Sequence, residues 1–271
     1  MLGYVKHGSG PEPVVVMHEW LGDHSNYDYV VPYFDRDHFS YMLTDLRGYG
    51  LSKQMRGQFS AAEAAADVLR LMDALGHQTF HVVGHSMSAM VAQRLAVDAP
   101  DRIRSVIAIT PVPATGLKMD DDGRKRMTAV IGDDSAAKEA IAARTAKRYG
   151  EPWLNHKLAI ARSAATSEAM QGYLDMITGT DFVTETVGLR TPLLAIVGEY
   201  DIPAYREDNV RNIFGRCYPN FELVVCRESG HYPMLEAPIF LAANIERFLT
   251  ANPIGSVSGL RPNNVSSGGR L

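Results

Sequence analysis

The first 110 residues alternate short, largely apolar runs with helical stretches, and few architectures accept that rhythm. Val14-Val15-Val16-Met17 is entered through Pro11 and Pro13, and Phe39 to Thr44, Thr79 to Val83 and Ile103 to Thr110 follow. A strand with one wet face alternates polar and apolar residues, whereas a strand apolar along its length is covered on both faces. Ser60 opens a helix, Glu63 completes a capping box, and Ala65, Val68, Leu69 and Met72 recur at helical spacing until Gly76 closes it. Met87 to Val97 is a second helix, stopped by Pro100. The succession predicts an α/β fold with a mostly parallel sheet and helices on both faces.

The rhythm breaks after Pro111. Residues 112–188 contain no strand-like run, only helical stretches such as Ala136 to Tyr149 and Ser167 to Met176. It resumes with a strand at Pro192 to Val197, a helix near Tyr205 to Phe214, a strand at Phe221 to Val225 and a helix at Pro238 to Leu249. The expected organisation is one α/β core from residues 1–111 and 189–251, interrupted by a helical cap, 112–188, over one end of the sheet. Residues 252–271, rich in Pro, Gly, Ser and Asn, read as a disordered or loosely attached tail.

Charge narrows the partners. A net charge of −4, spread along the chain, offers no basic patch for nucleic acid or an anionic membrane. The basic run Arg124-Lys125-Arg126 directly follows Asp120-Asp121-Asp122, and the two read together as a solvated loop or helix end. Two cysteines, Cys217 and Cys226, make no disulfide framework or zinc motif. No basic segment leads into an apolar core at the start, and no apolar stretch reaches the roughly 18 residues of a membrane helix. A cytoplasmic enzyme without metal or cofactor is expected; a homo-oligomer is left open.

Val82-Val83-Gly84-His85-Ser86-Met87-Ser88 carries the chemistry. It sets a serine in a sharp turn from an apolar strand into a helix, in a G-x-S-x-G-like frame with Ser88 in the last glycine's place. Small residues let the turn tighten and push the hydroxyl outward, while the helix N-terminus aims free N–H groups at a developing oxyanion.

In chain order the other segments resemble the α/β-hydrolase superfamily from about residue 3 to 250. Met17-His18-Glu19-Trp20 sits where those proteins carry the oxyanion turn, with Glu19 in place of glycine. Asp45-Leu46-Arg47-Gly48-Tyr49-Gly50-Leu51-Ser52 is similar to their D-x-R-G-x-G-x-S turn. Val197-Gly198-Glu199-Tyr200-Asp201 and Ser229-Gly230-His231-Tyr232-Pro233 match the segments bearing the triad acid and histidine. The resemblance implies a cap inserted after the sixth strand, Ser86 as nucleophile, His231 as base and Asp201 as orienting acid, with Glu199 the competing acid. It implies oxyanion donors at the backbone of Trp20 and Met87. A serine needs a base of pKa near 7, which histidine supplies.

Glu19 is expected either as a tolerated substitution or as a carboxylate near the site mouth that repels anions or binds a polar group. His18 and His85 are expected as supporting hydrogen-bonding residues near the substrate. Trp20, Met119, Trp153, Tyr173 and Met176 are candidates for the pocket wall. Serine in place of aspartate argues against dehalogenases and epoxide hydrolases of this kind, and the lack of a glycine-rich stretch after His18 argues against C–C hydrolases. A small to medium ester or lactone is the expected substrate. The alternatives are a cofactor-free oxygenase using the His/Asp pair as base, and a ligand sensor, because the elbow Gly84 to Met90 also resembles that of strigolactone and karrikin receptors.

Overall fold

The computed structural model describes residues 1–255. Seven strands form one sheet: β1 (Tyr4–His7), β2 (Glu12–Met17), β3 (Phe39–Thr44), β4 (Phe80–His85), β5 (Ile103–Ile109), β6 (Leu193–Gly198) and β7 (Phe221–Cys226). Their spatial order is β1-β3-β2-β4-β5-β6-β7, with β1 antiparallel to β3 and the other pairs parallel. The runs read as covered on both faces are buried: β3, β4 and β6 at every position, and β2 everywhere but at Glu12. The edge strand β7 is only partly buried.

Chain direction explains how both faces are covered. The β2-to-β3 connection runs toward the antiparallel edge, while those joining β3 to β4, β4 to β5 and β6 to β7 run the other way. Right-handed crossovers therefore place α1 (Ala61–Ala74), α2 (Met87–Asp98) and α8 (Glu207–Cys217) on one face and residues 18–38 on the other. The last helix, α10 (Pro238–Ala251), joins residues 18–38: its Glu246 accepts from the Tyr41 hydroxyl (3.1 Å) and from the Asp35 N–H (2.5 Å). The N-cap of α1 forms as read, with Ser60 Oγ accepting from Glu63 N–H (3.2 Å), but the Glu63 carboxylate reaches back past Ser60 to the N–H groups of Gln58 and Phe59.

Between β5 and β6 lie α3 (Asp121–Gly132), α4 (Asp134–Ala143), α5 (Glu151–Ala164), α6 (Ser167–Gly179) and the short α7 (Val183–Thr186). Two sequence expectations change here. The insertion follows the fifth strand in chain order, not the sixth, because one antiparallel strand, β1, precedes β2. The helix expected over Ala136 to Tyr149 ends at Ala143, since Ala146 and Lys147 take positive φ. The charged run at 120–126 is a helix end, as read: it starts α3, with the Asp120 carboxylate accepting from Gly123 N–H (2.7 Å). The beginning of the expected loose tail is also tied down: Ile254 N–H donates to Glu12 (3.0 Å). The rest of that expectation lies outside the described residues, among which no helix is long and apolar enough to cross a membrane.

The insertion packs on the carboxyl end of the sheet. Thr166 N–H donates to the Gly48 carbonyl just beyond β3 (3.0 Å), and His231 N–H, beyond β7, donates to the Arg144 carbonyl at the end of α4 (2.9 Å). Glycines permit this stacking. A Cβ on Gly198 at the end of β6 would come within 1.9 Å of the Gly230 carbonyl oxygen, and one on Gly230 within 2.2 Å of the Arg144 carbonyl oxygen. Gly198→Ala is expected to cost about 1–3 kcal/mol through overpacking. Urea denaturation should show a lower midpoint at unchanged slope.

Candidate active site

Ser86 sits in the one-residue turn between β4 and α2 at φ 52°, ψ −108°, left-handed backbone that a side chain rarely adopts. Its neighbours hold it there. Ser86 N–H donates to Ile109 O (2.8 Å), and its carbonyl accepts from Ala89 and Val112 N–H (3.1 Å each). Gly84 lies so close to α2 that a Cβ would meet the Ser88 carbonyl oxygen at 2.4 Å.

His231 follows β7 on a loop fixed from several sides. Its carbonyl accepts from His85 Nε2–H (2.8 Å) and the Thr110 hydroxyl (3.3 Å), and Glu236 accepts from the N–H groups of Gly230 and Tyr232 (2.9 Å each). The imidazole Nδ1–H donates to Asp201 Oδ2 at 2.6 Å, both side chains being buried. Asp201 Oδ1 accepts from Ile202 N–H (2.7 Å). Glu199 points elsewhere: its side chain is 44% exposed, 3.9 Å from Arg227. Burial, with the His231 charge beside it, pulls the His85 imidazole down to about 3, so it serves as a neutral donor.

The turn after β2 is held by side chains from across the molecule. The Met17 carbonyl accepts from the Tyr27 hydroxyl (3.2 Å), that of His18 from the Ser88 hydroxyl, and that of Glu19 from His18 Nδ1–H (2.8 Å). The Trp20 carbonyl accepts from the Tyr49 hydroxyl (2.9 Å) and that of Leu21 from Lys157 Nζ (2.6 Å). Every carbonyl from Met17 to Leu21 is thus bound. The backbone N–H groups of Trp20 and Met87 donate to no acceptor among the described residues.

Glu19 is buried rather than at the site mouth. Its carboxylate accepts from Lys157 Nζ of α5 (2.7 Å), Leu21 N–H (2.5 Å) and Asn26 Nδ2 (3.2 Å), and Lys157 also lies 4.9 Å from the Tyr232 ring centroid. Burial pushes the Glu19 carboxyl up, but Lys157, His85 and the hydrogen bonds outweigh it and bring it to about 2.

Over Ser86 and His231 lies Tyr205, which sequence reading passed over. Its ring is 4.7 Å from the His231 ring. Burial pushes the Tyr205 hydroxyl up to about 12, although Arg144 and Ser86 draw it down. Tyr205 and Arg144 also form part of the wall of a largely apolar groove of about 660 Å³, with Met119, Met127, Ile202 and Ile213. Of the other pocket candidates, Trp20 is buried with its indole N–H on Met170 O (2.8 Å), and Met176 and Tyr173 are buried on α6. Trp153 stacks on Tyr149 (4.6 Å) beside Tyr232, away from the groove wall.

Among the described residues one group, Asp23, His24 and Asp45, has ligand atoms close enough to hold a metal. Its donors are already engaged. Asp45 accepts from His24 Nδ1–H (2.7 Å), His24 N–H and Leu51 N–H (2.8 Å each), and Asp23 caps the turn at Ser25. The hydrogen bond to Asp45 chiefly raises the His24 imidazole.

A serine in a strained strand-to-helix turn, beside a histidine–carboxylate pair at the carboxyl end of a parallel sheet, defines the α/β-hydrolase class. The chain belongs to the family described as alpha/beta hydrolase fold, whose pattern matches residues 12–159, more than half its length. It is 25% identical over 247 residues to the pimeloyl-[acyl-carrier protein] methyl ester esterase of Legionella pneumophila, covering 90% of this chain and 97% of that one. It is also 38% identical over 109 residues to the dihydrolipoyllysine-residue acetyltransferase component of the acetoin cleaving system of Cupriavidus necator. That match covers 40% of this chain but only 29% of that protein. The enol-lactonase from Burkholderia xenovorans LB400 superposes with a TM-score of 0.79 at 22% identity, covering 92% and 96% of the two chains, a likeness of fold.

Removing one partner of a buried ion pair leaves the other charged and unsatisfied, so Lys157→Met is expected to destabilise the protein by about 3–5 kcal/mol. Glu19 is lowered on folding from 4.5 to about 2. Its contribution is therefore full above pH 4.5 and fades as pH falls toward 2. Urea midpoints of wild type and Glu19→Gln should differ most at neutral pH and converge over that acid window.

Proposed function

We propose that this α/β hydrolase cleaves a small to medium carboxylic ester or lactone through an acyl-enzyme on Ser86. The 2.6 Å bond between His231 Nδ1 and buried Asp201, with Ser86 in its strained turn at the carboxyl end of β4, carries this reading. Because Nδ1–H is committed to Asp201, Nε2 is the nitrogen free to take the Ser86 proton. As the oxygen attacks, the carbonyl electrons move to an oxyanion that accepts, in this reading, from the N–H groups of Trp20 and Met87. One such donor is typically worth about 2.7–4 kcal/mol. Collapse expels the alcohol, protonated by His231, and water repeats the sequence to release the acid. The curated esterase relative, aligned over nine-tenths of this chain, supports the ester class.

In this reading residues 112–188 act as a cap, because α4, α5 and α6 touch the histidine loop, the oxyanion turn and the Gly48 turn. A cap so placed limits water at the acyl-enzyme and selects acyl groups by shape.

Ser86→Ala is expected to abolish p-nitrophenyl acetate hydrolysis while leaving the circular dichroism spectrum unchanged. Turnover within tenfold of wild type would remove Ser86 from the mechanism. Asp201→Asn should reduce kcat by about 10⁴, as the corresponding change did in a protease of this triad logic. Glu199→Gln, on an exposed side chain, should change it by less than threefold.

A further inference from the structure

Arg144 ends α4 with its side chain turned into the groove beside Tyr205. A guanidinium has five N–H donors. Here Nη1 donates to the Ala140 carbonyl (3.0 Å) and Nη2 reaches the Met127 sulfur (3.8 Å). No carboxylate among the described residues forms an ion pair with it, although the rest of the side chain is largely withdrawn from water. The two buried acids whose charges reach it are already engaged: Asp201 with His231, and Glu19 with Lys157. The Ala140 carbonyl and the Met127 sulfur engage two of its donors, and the others are left for an anion in the groove that it lines.

We propose that Arg144 binds a carboxylate carried on the acyl portion of the substrate, so that the preferred esters are half-esters of dicarboxylic acids. The inference rests on the ester-hydrolase reading above. Arginine suits this ligand because its planar fork matches the two oxygens of a carboxylate. Tyr205 links the groove to the His231–Asp201 pair, its ring lying 4.7 Å from the His231 ring while it shares the groove wall with Arg144, so a short methylene spacer joins scissile carbonyl and carboxylate. Met127, Ile202 and Ile213 give that spacer an apolar wall, and the one acidic residue lining the groove, Glu139, is exposed.

Two measurements test the assignment separately from the ester chemistry. Calorimetric titration of the Ser86→Ala protein with glutarate should show binding, weakened at least tenfold by adding Arg144→Met and less by Arg144→Lys. Kinetically, the ratio of kcat/KM for monomethyl glutarate to that for methyl valerate should fall at least tenfold in Arg144→Met, chiefly through KM. Arg144→Gln serves as the second variant if Arg144→Met fails to fold. Glutarate binding that is absent or indifferent to Arg144, or an equal loss on both esters, overturns the proposal and leaves Arg144 a helix cap. Inorganic phosphate competing with glutarate on equal terms also overturns the carboxylate assignment. If Ser86→Ala keeps ester turnover, the serine mechanism falls while the glutarate titration still decides the anion site.

Discussion

The turn after β2 is where the structure is most constrained. Five successive carbonyls, Met17 to Leu21, leave the sheet and enter a space too buried for water to satisfy them. Each must find a donor inside the protein or cost free energy comparable to a lost hydrogen bond. The donors come from Tyr27, Ser88, His18, Tyr49 and Lys157, on five different segments. Satisfying one short turn therefore locks α2, the turn after β3 and a helix of the insertion into a single arrangement. Preorganised donors cost nothing to reorganise when charge develops, which is what an oxyanion site requires.

Both departures from the family pattern converge on that turn. Ser88, in the place of a glycine, donates its hydroxyl to the His18 carbonyl. Glu19, in the place of another, turns inward to pair with Lys157 from the insertion. A buried ion pair gains little net stability against apolar residues of the same volume, but its geometry is exacting. Its consequence is one of position. The insertion cannot shift relative to the turn after β2 without separating two charges in a dry environment, so the placement of the two is coupled.

The histidine loop shows the same economy of space. Gly198, Gly230 and the Arg144 carbonyl stack so closely that no Cβ fits between them. This brings the end of α4 against the loop bearing His231 and leaves the Arg144 side chain with Tyr205 in the groove wall. Specificity for the acyl group would then be read by a residue whose backbone also helps hold His231.

Much of the arrangement was legible in the sequence because it depends on local rules. Apolar runs bounded by turns gave the strands, small residues around Ser86 gave the elbow, and the order Ser86, Asp201, His231 predicted a meeting that the structure realises for the last two at 2.6 Å. The short antiparallel β1, four residues and only partly buried, carried no such pattern. Nor could the sequence assign Glu19, because its role depends on a lysine 138 positions away on a helix that looks amphipathic either way. Tyr205 and Arg144 were invisible for the same reason. A tyrosine after a proline turn and an arginine at a helix end are common in sequence, and only packing the insertion onto the sheet brought them into one groove wall beside His231. Periodicity and turn chemistry act over a few residues and can be read along the chain. Pairing of buried charges and closure of a groove act between segments, and only the tertiary structure decides them.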